Sequence, residues 1–361
     1  MALLFIDGFD HYDPQALDAD GERLRSRGKA DTLSALATRI NGRRPGSFAL
    51  RIPSGSTGNG WFRGGYQKNL AAPTGVVTVG AALRWGDRDT DELELLGVSD
   101  ANHERPHAIR ARRDGRLALV AQEPWMGIRE FAQSETMLAA GVWHYIELQV
   151  VQGDPGVANG SLTVRINGVE AMQVNQQMTR GASETGLRSV FVAARPDNYA
   201  IARVDVDDLY ITDASGTVNQ GFLGDVRIDV LRPRASGSVT QWEVQPGTST
   251  DWQALSDDSD ASVLRAAAAG LRHSVAMQAL PTLRSPVIHG VQVMLLARKS
   301  DAGQAAMRSL ALSGAQAALG APVALLDTLV WHQTMIENDP NGGAPWTPAS
   351  LAAAEFGAES A

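Results

Sequence analysis

The amino-acid sequence predicts an all-β protein, and three observations carry that reading. Apolar residues recur at every second position, the period of a half-buried strand. Asn-Gly and Asp-Gly dipeptides punctuate these runs, as turns between strands do. Short strands set apart by turns, without crossover helices, pair antiparallel, which means a sandwich or a barrel.

The elements follow in chain order. Val77, Val79, Ala81, Leu83 and Trp85 alternate with Thr78, Gly80 and Arg84. Ile109 and Ala111 lead through Asp114-Gly115 into Leu117, Leu119 and Ala121, a hairpin whose two turn residues both take positive φ. Leu162, Val164 and Ile166 run into Asn167-Gly168 in the same way. Further strands are expected over 143–151, 188–194 and 200–211, so residues 1–215 form one unit. Residues 216–230 are a joint, within which 225–231 alternates as a strand would. Residues 231–361 are a smaller β-rich domain, with strands around 240–244, 274–280, 287–297 and 324–336. Two Ala-rich tracts, 263–271 and 303–319, have helical propensity. Gly270, Gly314 and Gly320 interrupt them and no 3.6-residue stripe develops, so strands and loops are expected. A short helix follows near the end, capped by Thr347, opened by Pro348 and running through Ser350–Phe356 to Gly357.

Composition removes several function classes. The chain has 361 residues and no cysteine, which excludes disulfides, thiolate metal sites and a Cys nucleophile. There are 23 basic against 27 acidic residues before position 216 and 9 against 13 after it, so neither part is a basic arm for nucleic acid. No apolar run reaches the ~20 residues that span a bilayer. Met1–Asp7 lacks the basic flank of a secretory leader.

Candidate chemistry is sparse. His103-Glu104-Arg105-Pro106-His107 spells the zinc-protease motif, which needs both His on one helical face. Pro106 between them opposes a helix, and an inter-strand loop is expected instead. Glu92 and Glu94 share one face of a strand roughly 7 Å apart, a spacing glycosidases use; their interleaved Glu-x-Asp-x-x-Glu pattern is missing, and a solvated face with Leu93 and Leu95 inward is expected instead. Arg110, Arg112, Arg113 and Arg116 cluster on one hairpin as an exposed face or subunit contact. The Gly-rich stretch Ser54–Gly65 lacks the Lys-Ser/Thr ending of a phosphate loop and is expected to be a loop bearing Trp61 and Phe62. Asp7, Asp10 and Asp13 with Asp205, Asp207 and Asp208 could supply calcium with oxygens, or cap strand ends. Asp257, Asp258 and Asp260 form an acidic loop. No catalytic residue stands out.

Phe5-Ile-Asp-Gly-Phe-Asp-His-Tyr12 resembles the first strand of concanavalin-like (laminin-G-like) jelly rolls, and Val204-Asp-Val-Asp-Asp-Leu-Tyr-Ile211 resembles their closing strand. Trp143–Leu148 and Gly160–Gly168 are similar to the strands before it. The wording of these ends, with Gly224–Pro233, Thr240–Trp242, Asp251-Trp252, Asn338–Pro340, Trp346-Thr347 and Glu355–Gly357, resembles a group of tailed-bacteriophage virion proteins. The resemblance implies a jelly roll whose first and last strands lie side by side, followed by a second, smaller β-sandwich. It implies a non-enzymatic tail, baseplate or fibre component, assembled in the host cytoplasm with other virion proteins and as a homo-oligomer. Contact with host-surface carbohydrate is part of that expectation; nucleic-acid binding and membrane insertion are not. A head-decoration protein, a carbohydrate-binding module and a polysaccharide hydrolase are the rival readings. Trp61, Phe62, Trp125 and Trp346 are the expected interface or ligand contacts, with no cofactor except calcium at Asp7, Asp10 and Asp207.

Overall fold

The computed structural model describes residues 2–12, 30–34, 36–57, 60–62, 64–86, 91–100, 106–123, 127–197, 200–245, 250–256 and 262–361, with the backbone alone for 56–57 and 60–62. Antiparallel strands dominate, and the chain divides into two compact units between Ile228 and Asp229.

The first unit is a sandwich of sixteen strands among the described residues. They are β1 (Leu3–Asp7), β2 (Thr32–Leu33), β3 (Thr38–Asn41), β4 (Phe48–Thr57), β5 (Gly60–Phe62), β6 (Gly64–Thr74), β7 (Val76–Trp85) and β8 (Glu92–Asp100). After these come β9 (His107–Arg112), β10 (Leu117–Glu123), β11 (Gly127–Gln133), β12 (His144–Val151), β13 (Gly160–Ile166), β14 (Val169–Gln177), β15 (Leu187–Pro196) and β16 (Ala202–Asp213). One sheet runs β14-β13-β12-β7-β16-β4-β3, with β1 on β16 and β5 on β4; the other runs β11-β10-β9-β8-β15-β6-β2. The alternating apolar residues seen in sequence meet between the sheets, where Val79, Leu83, Trp85, Ile109, Leu119, Leu148, Val164 and Val206 are all buried. The first and last strands pair antiparallel, Phe5 opposite Ile211 and Asp7 opposite Leu209.

Local details depart from the sequence reading. Asn167 and Gly168 both take positive φ, as a two-residue hairpin requires. At Asp114-Gly115 only Gly115 does; Arg112 N–H donates to Arg116 O, giving a three-residue loop, and the Asp114 carboxylate accepts from Arg116 N–H. The Gly-rich stretch expected as a loop forms the end of β4, the short β5 and the start of β6, because Gly55, Ser56 and Thr57 pair across to Phe62, Trp61 and Gly60.

Residues 225–231 are not a strand. Residues 221–228 cross the outer side of the nine-stranded sheet as a strap held by side chains. Thr212 Oγ1 donates to Gly221 O, Leu223 N–H donates to Tyr210 Oη, and Gly224 N–H donates to Glu147. Arg165 lies over the Phe222 ring, and Arg43 reaches Asp225 and Val226 O. Ile228 N–H donates to Asp208 Oδ1. Alternation marked one face correctly, but these backbone groups are satisfied by side chains instead of a neighbouring strand.

The second unit contains β17 (Pro233–Thr240), β18 (Glu243–Val244), α1 (Asp251–Ala254), β19 (Leu264–Arg265), β20 (Arg272–Met277), β21 (Val291–Ala297) and β22 (Ala306–Ser313). It ends with β23 (Gln316–Leu319), β24 (Val323–Ala324), β25 (Val330–Ile336), α2 (Pro348–Ala353) and β26 (Glu355–Ser360). A sheet of order β17-β20-β26-β22-β23, with β24 on β22, is faced by the β21–β25 ribbon. Ala311, Phe356, Val293, Trp346 and Leu351 form the core between them. The Ala-rich tract 303–319 is the β22–β23 hairpin, with Gly314 at positive φ in its turn. Thr347 caps α2 with a capping box and Pro348 in its first turn. The helix stops at Ala353, because Phe356 is drawn into the core by β26, which pairs with both β20 and β22.

Candidate functional site

The seven-stranded sheet has a polar side turned away from the core. β8 sets it up through a bulge that breaks alternation at Leu95, so Leu93, Leu95, Leu96 and Val98 all enter the core while Glu92, Glu94, Gly97 and Ser99 face the other way. On β9 the same side carries Ala108, Arg110 and Arg112, with Glu92 opposite Arg112 and Glu94 opposite Arg110. β15 adds Phe191 opposite Gly97 and Arg195 opposite Glu94.

These residues form a ladder of alternating charges. Arg110 Nη1 is 3.2 Å from Glu92 Oε2 and its Nη2 is 3.4 Å from Glu94 Oε2. Arg195 Nη1 stands 3.3 Å from Glu94 Oε1, and Arg112 pairs with Glu92 and, closely, with Glu130 of β11. Small residues floor it: Ala108, Ala118, Val120 and Ala193 cluster with Phe191 as a second buried apolar group. Gly97 is obligatory there, since a Cβ would lie 2.3 Å from Phe191 Cζ and 2.6 Å from His107 O. The ladder corrects the expectation of a solvated face: Glu94 is 8% exposed and clamped by two arginines. Arg113 and Arg116 lie outside it, paired with Asp91 and Asp114.

The other candidates separate. His107 opens a strand and stacks on Phe131, so it does not sit on a helix as the zinc motif requires; His103 and Glu104 lie outside the described residues. Asp7 accepts from Phe9 N–H at 2.8 Å and Tyr12 Oη at 2.5 Å. Asp10 accepts from Phe48 N–H at 2.5 Å. Asp207 accepts from Asp208 N–H at 2.8 Å and Arg43 N–H at 3.0 Å. These carboxylates tie down turns, and burial followed by the adjacent Asp208 pushes Asp207 up to about 7. No group of three or more His, Asp or Glu side chains is arranged around a metal position among the described residues. Asp13, Trp125 and the 257–260 acids lie outside the described residues, as do the side chains of Trp61 and Phe62.

Trp346 is corrected. It is 3% exposed, donates from Nε1 to Ile336 O and packs on Phe356, so it is core rather than contact surface. Arg195 and Phe191 were missed by the sequence reading. Only strand pairing joins them to Glu94 and Gly97, about a hundred residues away, and no local spacing signals it.

No family model and no curated protein matches this sequence. Among solved structures, an alginate lyase from Aplysia kurodai is similar at 14% identity and a TM-score of 0.43, covering 58% of this chain and 99% of its own. A glucuronan lyase from Trichoderma reesei is 14% identical at a TM-score of 0.41, over 51% of this chain and 91% of its own. A carbohydrate-binding module from Bacillus subtilis is 10% identical at 0.31, over 49% and 95%. The fold is a β-sandwich of jelly-roll type. The expectation of a non-enzymatic protein is overturned here: polysaccharide lyases stand among these structures, so missing sequence motifs do not exclude catalysis.

Proposed function

We propose that this chain is a component of a tailed-phage virion whose first unit binds polysaccharide on the outer side of its seven-stranded sheet. The observation that carries the binding is the ladder of Arg110, Arg112 and Arg195 with Glu92, Glu94 and Glu130. A sugar hydroxyl donates and accepts at once, and a row of alternating guanidinium donors and carboxylate acceptors answers neighbouring hydroxyls in both senses. The charges balance within the ladder, which suits a polyhydroxyl chain better than a polyanion. No aromatic side chain is fully exposed among the described residues, so recognition runs through hydrogen bonds more than ring stacking. The virion assignment is supported by the resemblance of Phe5–Tyr12 and Val204–Ile211 to such proteins, together with the continuation into a second β unit.

The test has two arms. A glycan array is read with the natural chain and with Arg110→Ala and Glu94→Gln. Binding that drops ~10-fold or more in both variants, the scale of one charge-assisted contact, supports the face; unchanged binding sinks it. Antibody labelling of purified particles should decorate the tail. Particles devoid of the protein would remove the virion reading while leaving the glycan reading intact.

A further inference from the structure

The nine-stranded sheet carries a different charged site on its own outer side. Cross-strand register places Asp205 of β16 between Arg51 of β4 and Arg84 of β7. Asp205 is 2% exposed and accepts from Arg51 Nε at 2.7 Å, Arg51 Nη2 at 2.9 Å and Arg84 Nε at 2.9 Å. The Arg84 guanidinium lies 4.6 Å from the centre of the half-buried Trp143 ring. Two residues before Asp205 on the same side, Arg203 is exposed and lies over Gly86, where a Cβ would meet its Nε at 2.9 Å. Neither Arg203 nor the Trp143 indole N–H has a hydrogen-bond or ion-pair partner among the described residues.

Two features separate this group from a structural salt bridge. Two arginines share one carboxylate and a third, Arg203, pairs with none of the described residues, which leaves two positive charges uncompensated among the described residues of a chain of net charge −8. Asp205 also fixes two guanidinium planes while Nη1 of each bonds to none of the described residues, so those donors are pre-organised at little entropic cost. The buried carboxylate accounts for Arg51 and Arg84 but not for Arg203, which pairs with none of the described residues.

We infer that Arg51, Arg84, Arg203 and Trp143 form a binding site for an acidic polysaccharide, the guanidinium groups taking its carboxylates or sulfates and the indole stacking on a sugar ring. Nucleic acid is disfavoured, because duplex DNA carries a charge every ~1.7 Å and needs a long basic track. Here two surplus charges sit in an acidic molecule. The site lies on the other sheet from the Arg110 ladder and stands without it.

The probes are heparin for sulfate, polygalacturonate for carboxylate, neutral dextran and duplex DNA, each titrated calorimetrically into the full chain at rising salt. At least one acidic glycan should bind, more weakly as salt screens the contact. Arg203→Ala and Trp143→Ala should each weaken it ~10-fold, the scale of one charge-assisted contact, while Arg113→Ala, outside both charged groups, leaves it unchanged. Arg203→Lys should retain part of the affinity. Arg203 is exposed and bonds to none of the described residues, so Arg203→Glu, with its melting temperature checked, keeps the test valid if Trp143→Ala fails to fold. Equal binding of dextran, equal or tighter binding of DNA, or unchanged affinity in both Arg203→Glu and Arg203→Ala would overturn the site.

Discussion

Gly97 shows how a single missing side chain shapes the candidate face. Its Cα hydrogen occupies the place where a Cβ would strike both the Phe191 ring and the His107 carbonyl. The ring could turn aside; the carbonyl belongs to a paired strand and cannot. Gly97→Ala should therefore cost ~1–3 kcal/mol, the usual penalty of overpacking, and push Phe191 out of the floor. Urea unfolding measures the first effect, and loss of glycan binding without global unfolding measures the second. A stability change below the error of the melt would show that the sheet relaxes freely here. At the same scale, Arg110 owes its position to two carboxylates, and its own neighbours in sequence give no hint of that. The sequence pattern did show Glu92 and Glu94 on one face, because alternation is local; it could not show which cations would arrive from β9 and β15.

The strap over residues 221–228 is the element that sequence periodicity misassigned. Val226, Ile228 and Val230 alternate as a strand would, yet the pairing partner is a row of side chains on the nine-stranded sheet. Glu147 is fully buried and accepts from both Tyr210 Oη and Gly224 N–H. Glu147→Ala would leave that hydroxyl and that amide unsatisfied, at ~1–3 kcal/mol. The strap should then lift, seen as faster amide exchange and new protease cleavage over residues 214–228 with the core strands still protected. Equal protection in the variant would mean that Arg43 and Asp208 hold the strap alone. The C-terminal helix repeats the lesson: Thr347 and Pro348 marked its start, since caps are local chemistry. Its end was set by β26, whose pairing with β20 and β22 lies outside any short window.

For the whole molecule, the two units should respond to pH in opposite directions. Burial, then Asp208, pushes Asp207 up to about 7, so its charged form is disfavoured in the fold. Between about 7 and the ordinary carboxylate value of 3.8, the folded state binds the proton first and the first unit gains stability as pH falls. In the second unit burial holds His273, His289 and His332 below their ordinary 6.5, against the opposing pull of Asp251 on His273. There the unfolded chain binds the proton first, and stability is lost as pH drops below about 6.5. Amide exchange of the two cores from pH 8 to pH 5 should show the first strengthening and the second weakening, with Asp207→Asn flattening the first trend. Parallel trends in both units would contradict this. By itself the sequence determined the all-β class, the strands β7, β9, β10, β12, β13, β15 and β16 and the Asn167-Gly168 turn, because the period of two and the demand for positive φ act over a few residues. Tertiary structure alone decided the ladder, the strap, the buried place of Trp346 and the Asp205 arginine pair, because each depends on strands far apart in the chain being brought within hydrogen-bonding distance.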